Sequence, residues 1–207
     1  MLSGDAKSDA LFERLRGGDD SALAPLFSQF EVRLKRMVSL RLDRRLGARV
    51  SPSDVLQETY LAAVKRLRHL LARPDAEPYL WFRSLTLQRL IDLHRQHLGA
   101  HARSAEQEVS LDQSIGPAAS SMCLARALIG EWESPSQAAI RDESLAQLEQ
   151  ALEELEPLDR EVLALRHFEE LDNGAAAEVI GISQAATSKR YLRALARLRT
   201  QLEKFHR

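Results

Sequence analysis

The chain has 207 residues, 44% apolar but only 5% aromatic, with a net charge of -1, which admits one large domain or two small ones filled mainly by leucine, alanine and valine. A single cysteine, Cys123, excludes an internal disulfide and a cysteine-rich zinc site and suits a reducing cytoplasm. No apolar run reaches the length of a signal-peptide core or a membrane span, so a soluble, cytoplasmic protein is expected.

No stretch alternates well enough to predict a strand, whereas helical periodicity recurs along most of the chain. It begins at "ALFERL" and stops at Gly17-Gly18-Asp19. A second helix is predicted over Ser21 to Leu42, with Leu23, Leu26, Phe27, Phe30, Leu34, Met37, Val38 and Leu42 on one stripe. Pro25 lies near its start and is compatible with a later onset. A third begins at "SPSD", where Ser51 can cap, Pro52 takes the first helical position and Asp54 completes a capping box. It should run to about Leu71, before Arg73-Pro74. A fourth, about Pro78 to Leu98, carries Leu80, Trp81, Leu85, Leu87, Leu90 and Ile91 as candidate core residues.

Residues 103–139 differ in composition. They contain Gly116-Pro117, Ser134-Pro135-Ser136 and, after Arg103, five acids against Arg126, and read as a linker with a short helix around Met122 to Ile129. Helices resume over Arg141 to Leu155, Leu158 to Glu169, Asn173 to Ile180 and Gln184 to about Lys204. The predicted fold is all-α, with two small helical domains, 1–102 and 140–207, joined by an acidic flexible linker.

The small net charge conceals segregation. Between Pro135 and Ile182 three basic residues face twelve acids, while Ser183 to Arg207 holds seven basic residues against Glu203. Arg33 to Arg49 adds seven basic residues against Asp43. Such blocks suit a polyanionic partner that touches only part of the chain.

The break "EVIGISQAATSKR" locates the most informative segment. Gly181 can end one helix in a left-handed conformation, and Ser183 can cap the next, which is the sequence form of a helix-turn-helix. Thr187, Tyr191, Ala194, Leu195, Leu198 and Leu202 have core spacing. Gln184, Ala185, Ser188, Lys189, Arg193 and Arg197 are left outside, where small, amide, hydroxyl and cationic side chains suit a major groove. Glu153, Glu154 and Glu156, far along the chain from that helix, are expected to keep clear of DNA and to face a protein.

With these motifs in view, the chain resembles the two-domain, extracytoplasmic-function (ECF) sigma factors of the sigma-70 family. The segment "ALEELEPLDREVLALRHFEELDNGAAAEVIGISQAATSKRYLRALARLRTQL" is similar to sigma region 4, "SPSDVLQETYLAAVKRL" to region 2.2 and "YLWFRSLTLQRLIDLHRQ" to regions 2.3 and 2.4. The Ser-rich acidic linker with "SPSQAA" resembles that of planctomycete-type members. The resemblance implies a protein without catalysis or cofactor that binds core RNA polymerase and promoter DNA, is monomeric when free and is open to control by an anti-sigma factor. On the region 4 side, Ser183, Gln184, Ala185, Ser188, Lys189, Arg190, Arg193 and Arg197 would contact the -35 element.

On the region 2 side, Val55, Leu56, Thr59, Ala63 and Leu67 can point inward, and the resemblance assigns Asp54, Gln57, Glu58, Leu61 and Lys65 to polymerase binding. It assigns the -10 element to Tyr79, Phe82, Arg83, Gln88, Arg89 and Arg95, with aromatic rings stacking on unpaired bases at about 1–3 kcal/mol each. Trp81 reads as a packing residue. Family members often carry an arginine-rich run after region 2.4, where this chain has "HRQHLGAHAR". DNA binding that strengthens as pH falls through the ordinary histidine range near ~6.5 would follow. His94, His97 and His101 also invite a metal-site reading, but no recognisable ligand set accompanies them. The chief alternative is a stand-alone helix-turn-helix regulator, which would bind a palindromic site without polymerase.

Overall fold

The computed structural model describes residues 3–43, 45–47, 49–73, 76–98, 118–129 and 138–205. All regular structure among them is helical, in two units: Met1–Val38 with Leu42–Gly116, and Ser39–Arg41 with Pro117–Arg207.

In the first unit, α1 (Ser3–Arg16) ends at Gly18, whose φ of 90° a side chain would resist. Asp19 then accepts hydrogen bonds from Arg14 and from the Ser21 backbone, and a short 3-10 turn, Asp20–Ala22, leads into α2 (Leu23–Arg41). Pro25 falls in the first turn of α2, where its missing N–H is not needed. The helix therefore starts two residues after the predicted Ser21. Leu23, Leu26, Phe27, Phe30, Leu34, Met37 and Val38 are buried as their spacing requires, whereas Leu42, the extended C-cap residue, is only partly covered.

The next helix, α3 (Pro52–Leu71), opens on a complete capping box. The Ser51 N–H donates to Asp54 Oδ2 at 2.8 Å, and the Asp54 N–H donates back to Ser51 Oγ at 3.2 Å. The Ser51 hydroxyl, donating to Asp54 Oδ2 at 2.7 Å, and then the Ser51 N–H hold the Asp54 carboxyl below its usual range. Ser51→Ala should lower stability by about 1 kcal/mol, read as a shift in urea midpoint without a change in slope.

Helix α4 (Pro78–Leu98) is rotated relative to the predicted stripe. Tyr79, Phe82, Leu85, Thr86, Leu87, Leu90 and Leu93 are buried, whereas Leu80, Trp81 and Ile91 are only partly covered. The cause is an aromatic cluster. The Phe82 ring lies 5.1 Å from Phe27 and 6.0 Å from Phe30, and Tyr79 lies 5.6 Å from Phe30 with the Arg33 guanidinium 3.8 Å over its ring. Rings from α2 thus choose which face of α4 goes inward.

The second unit contains α5 (Ser121–Ile129), α6 (Ala138–Glu153), α7 (Pro157–Leu163), α8 (Asn173–Ile180) and α9 (Gln184–Phe205). Leu124 and Ala125 of α5 join Leu152, Leu155, Leu163, Ala164, Phe168 and Ala194 in one core. That part of the predicted linker is therefore packed helix, because its "CLARAL" run offers an apolar face at helical spacing. The stretch predicted as one helix over Leu158 to Glu169 is α7 followed by a π-helical turn, Ala164–Phe168. Ser39–Arg41 count with this unit. The Arg41 guanidinium is fully buried against Glu161 and, at 2.7 Å, Glu169. Burial works against the Arg41 charge, but the two carboxylates outweigh it and keep the group protonated.

Candidate nucleic-acid interface

The turn between α8 and α9 follows from four residues. Asp172 caps α8, its Oδ1 accepting the Ala175 N–H at 2.7 Å. Gly181 ends the helix in the left-handed region at φ 76°, with open space where a Cβ would sit, so backbone conformation rather than crowding calls for glycine. Ser183 Oγ accepts the Ala186 N–H at 3.2 Å and caps α9. Asn173 Nδ2 donates to the Gln184 carbonyl at 3.0 Å, tying the start of α8 to the start of α9.

Thr187 and Ala194 of α9 are buried, and Tyr191, Leu198 and Leu202 are half-buried. Ser183, Gln184, Ala185 and Lys189 are exposed, and Ser188 is partly exposed between them. Leu195, predicted to be core, is 36% exposed, and Leu192, off the predicted core stripe, is 65% exposed. At 100° per residue, Gln184, Ala185, Ser188, Lys189, Leu192 and Leu195 share one side of the helix. That side combines amide, hydroxyl, cation and apolar contact groups, the set needed to read base edges and thymine methyls.

Arg190, Arg193 and Arg197 form a different stripe. They turn toward the N-terminus of α7 and engage two acids. Asp159, its side chain wholly covered, accepts Arg190 at 2.8 Å and Arg193 at 2.7 and 2.9 Å, with Arg197 3.7 Å away. Glu156 lies 3.3 Å from Arg190, 3.2 Å from Arg193 and 3.3 Å from Arg197. Burial alone would push the Asp159 carboxyl up, but the hydrogen bonds and charges of Arg193 and Arg190 outweigh it and hold the carboxyl below its usual range. Glu156, expected to keep clear of DNA and to face a protein, lies against the arginines of α9 although it is far from them along the chain. The turn at Leu155 and Pro157 folds it directly onto α9.

In the first unit, the residues expected at a -10 element divide by burial. Tyr79 is 1% exposed, Phe82 0% and Arg83 3%, so neither ring has an open face for a base and Arg83 is not displayed. The reason is the aromatic cluster on α2. Gln88 and Arg95 are exposed and Arg89 partly so. Gln88 accepts Arg66 of α3 at 2.8 Å, and Arg89 pairs loosely with Asp92 at 3.7 Å. Trp81, read from sequence as a packing residue, is the partly exposed aromatic on this helix, and Phe82 lies 5.1 Å from it.

Val55, Leu56, Thr59, Ala63 and Leu67 of α3 are buried, which leaves Asp54, Gln57, Glu58, Leu61 and Lys65 together on the exposed face. Leu61 and Val64 are 55% and 51% exposed there, a pair of large apolar side chains within a polar face. Asp54 is committed to the helix cap as well.

The histidine expectation fares differently. His94 is half-buried and its Nε2 accepts the Asp43 backbone N–H at 3.4 Å. Burial lowers its pKa, Asp43 partly opposes this and Arg45 adds to it, so His94 favours the neutral form. It therefore does not supply the cation expected near neutral pH. The His97 side chain and His101 lie outside the described residues. Among the described residues no group of three His, Cys, Asp or Glu side chains is placed to hold a metal ion, and no helix is long and apolar enough to cross a membrane.

Comparison with known proteins finds a family resemblance in the C-terminal part. Residues 145–198 match the family described as Sigma-70, region 4, a span that contains α7, α8, the turn and most of α9. No curated protein matches the sequence. Among solved structures, CnrH in complex with the cytosolic domain of CnrY is 22% identical with a TM-score of 0.55, covering 94% of this chain and 96% of that one. The sigma factor RpoE, in complex with the anti-sigma factor NepR from Bartonella quintana, is 17% identical with a TM-score of 0.45, covering 83% of this chain and 89% of that one. Residues 145–198 are thus similar to sigma-70 region 4, on a helical chain whose fold is shared with CnrH.

Proposed function

We propose that the protein is a two-domain sigma factor of the ECF group that joins core RNA polymerase and directs initiation at promoters with -35 and -10 elements. The observation that carries this reading is the coincidence of the region 4 match with a built helix-turn-helix that displays a polar, cationic and partly apolar face. In this proposal Gln184, Ala185, Ser188, Lys189 and Leu192 read the -35 duplex, and Ser183 with the positive end of α9 faces a phosphate. Gln57, Glu58, Leu61 and Lys65 dock on polymerase, with Val64 adding apolar area. Trp81, Gln88, Arg89 and Arg95 carry the -10 contacts, since Tyr79, Phe82 and Arg83 are spent on the core. Polymerase performs the chemistry.

The protein acts in the cytoplasm and is monomeric when free. Within the group, the Ser-rich acidic linker favours the planctomycete-type members. A regulatory protein partner is part of the proposal, since CnrH was solved with the cytosolic domain of CnrY bound.

Mapping transcript starts after overexpression should yield shared elements upstream of the new starts, and run-off transcription from those templates should need both core polymerase and this protein. Ser188→Ala with Lys189→Ala should lose initiation at least about 10-fold, as expected for removing one or two base contacts of about 1–3 kcal/mol each, while core binding persists. Gln57→Ala with Glu58→Ala should weaken core binding and leave binding to promoter duplex intact. Tight binding to a palindrome, with no initiation on any template, would instead identify a stand-alone regulator.

A further inference from the structure

Three of the basic residues of α9 are already occupied. Arg190, Arg193 and Arg197 recur at i, i+3 and i+7 beside the recognition face, and two carboxylates lie against them. The two acids differ in what they can do. Asp159 is wholly covered and makes the short bonds, whereas Glu156 is 50% exposed and makes three contacts of 3.2 to 3.3 Å. Asp159 is part of the fold, and Glu156 is the outer, displaceable partner.

The backbone position of Glu156 makes the arrangement more telling. It is the N-cap of α7, a place where Ser, Thr, Asp or Asn would bond the helix N–H groups, yet its side chain makes no capping bond. The side chain reaches the guanidinium groups instead. A carboxylate and a DNA phosphate offer guanidinium the same chemistry, charged oxygens for planar N–H donors. The three side chains are 27%, 41% and 46% exposed, so a second anion can approach them from solvent.

We propose that Glu156 is an internal counter-charge standing where a DNA phosphate would lie against Arg193 and Arg197, and that it restrains sequence-independent binding of the free protein to DNA. Contact with the phosphate backbone supplies nearly all non-specific affinity and scales with the number of phosphates neutralised. With Glu156 present, a phosphate approaching these arginines meets a carboxylate charge already beside them, so each arginine–phosphate pair gains less. Asp159 keeps Arg190 and the shape of the clamp throughout. The inference rests on α9 being a DNA-binding helix, as proposed above.

The test is binding of the full-length protein to a fluorescent duplex of arbitrary sequence over a salt series, for wild type, Glu156→Gln and Glu156→Ser. The serine variant also restores a capping side chain, so a loss of fold cannot account for its behaviour. Both variants should bind about 10-fold more tightly at low salt, and the slope of log K against log salt should steepen by about 1–2, as for one or two added phosphate contacts. Unchanged affinity and slope in both would overturn the proposal. So would weaker binding, which would mean that Glu156 holds the arginines in their productive pose.

Run-off transcription with core polymerase separates this inference from the functional reading. If wild type directs initiation and the variants show no gain on the random duplex, the inference alone falls. Absence of both initiation and duplex binding in every form would remove the functional reading and the inference with it.

Discussion

Phe82→Ala should destabilise the first unit by about 3–5 kcal/mol, enough to unfold a marginal domain at moderate temperature. The ring is 0% exposed and touches aromatic partners on two helices, Phe27 and Phe30 of α2 and Trp81 of its own helix. Truncation removes the buried hydrocarbon and leaves a void lined by rings held on α2, which has little room to collapse. Phe82→Leu refills most of that volume and should cost under about 1.5 kcal/mol. Urea denaturation followed by circular dichroism measures both. A Phe82→Ala protein of unaltered stability that fails only in promoter opening would restore the base-stacking role and contradict the core assignment. Trp81→Ala provides the contrast. Its ring is partly exposed, so under the proposed function initiation should fall more than stability does.

Asp159→Asn should cost the second unit about 1.5–3 kcal/mol, the range for losing charge-assisted hydrogen bonds at a covered site. The carboxylate is the shared acceptor of Arg190 and Arg193, and an amide can replace only part of that pattern. The effect has a definite pH dependence. The folded-state pKa of Asp159 is lowered, so its ionisation contributes stability above the unfolded value near ~3.9 and loses it as pH falls through the lower folded value. The gap between wild type and Asp159→Asn should therefore be constant at neutral pH and narrow below about pH 4. Thermal unfolding between neutral and strongly acidic pH would show it. A gap that widened on acidification would mean that Asp159 is not held ionised by its arginines.

The two substitutions also mark where sequence reasoning and structure part. Local motifs were readable because they are satisfied within a few residues. Ser51, Pro52 and Asp54 form a cap whatever packs beyond them, and Gly181 with Ser183 ends one helix and starts the next by backbone geometry and a single hydroxyl. The buried stripes of α2 and α3 were readable for a related reason. Each has a continuous apolar stripe at helical spacing, and burial of that stripe is the dominant gain.

Helix α4 was not readable in the same way. It carries apolar or aromatic residues on more than one side, at Tyr79, Leu80, Trp81 and Phe82 in succession. Periodicity then leaves the inward direction open, and the partner decides. Phe27 and Phe30 accept the face of Tyr79 and Phe82, so the aromatics expected to be displayed are enclosed and Trp81 is left at the surface. The arginine stripe of α9 failed for a different reason. Arg190, Arg193 and Arg197 are separated from Glu156 and Asp159 by about thirty to forty residues, and nothing in local spacing says which acid will fold against them.

By itself the sequence determined the helical class, the cap that opens α3 and the turn that presents α9, because propensity, capping and apolar period act within a few turns of chain. Tertiary structure alone decided which aromatics are core and which cations are already paired. Both depend on what surface and what charge a distant segment brings, and burial and Coulomb attraction are set by distance in space rather than along the chain.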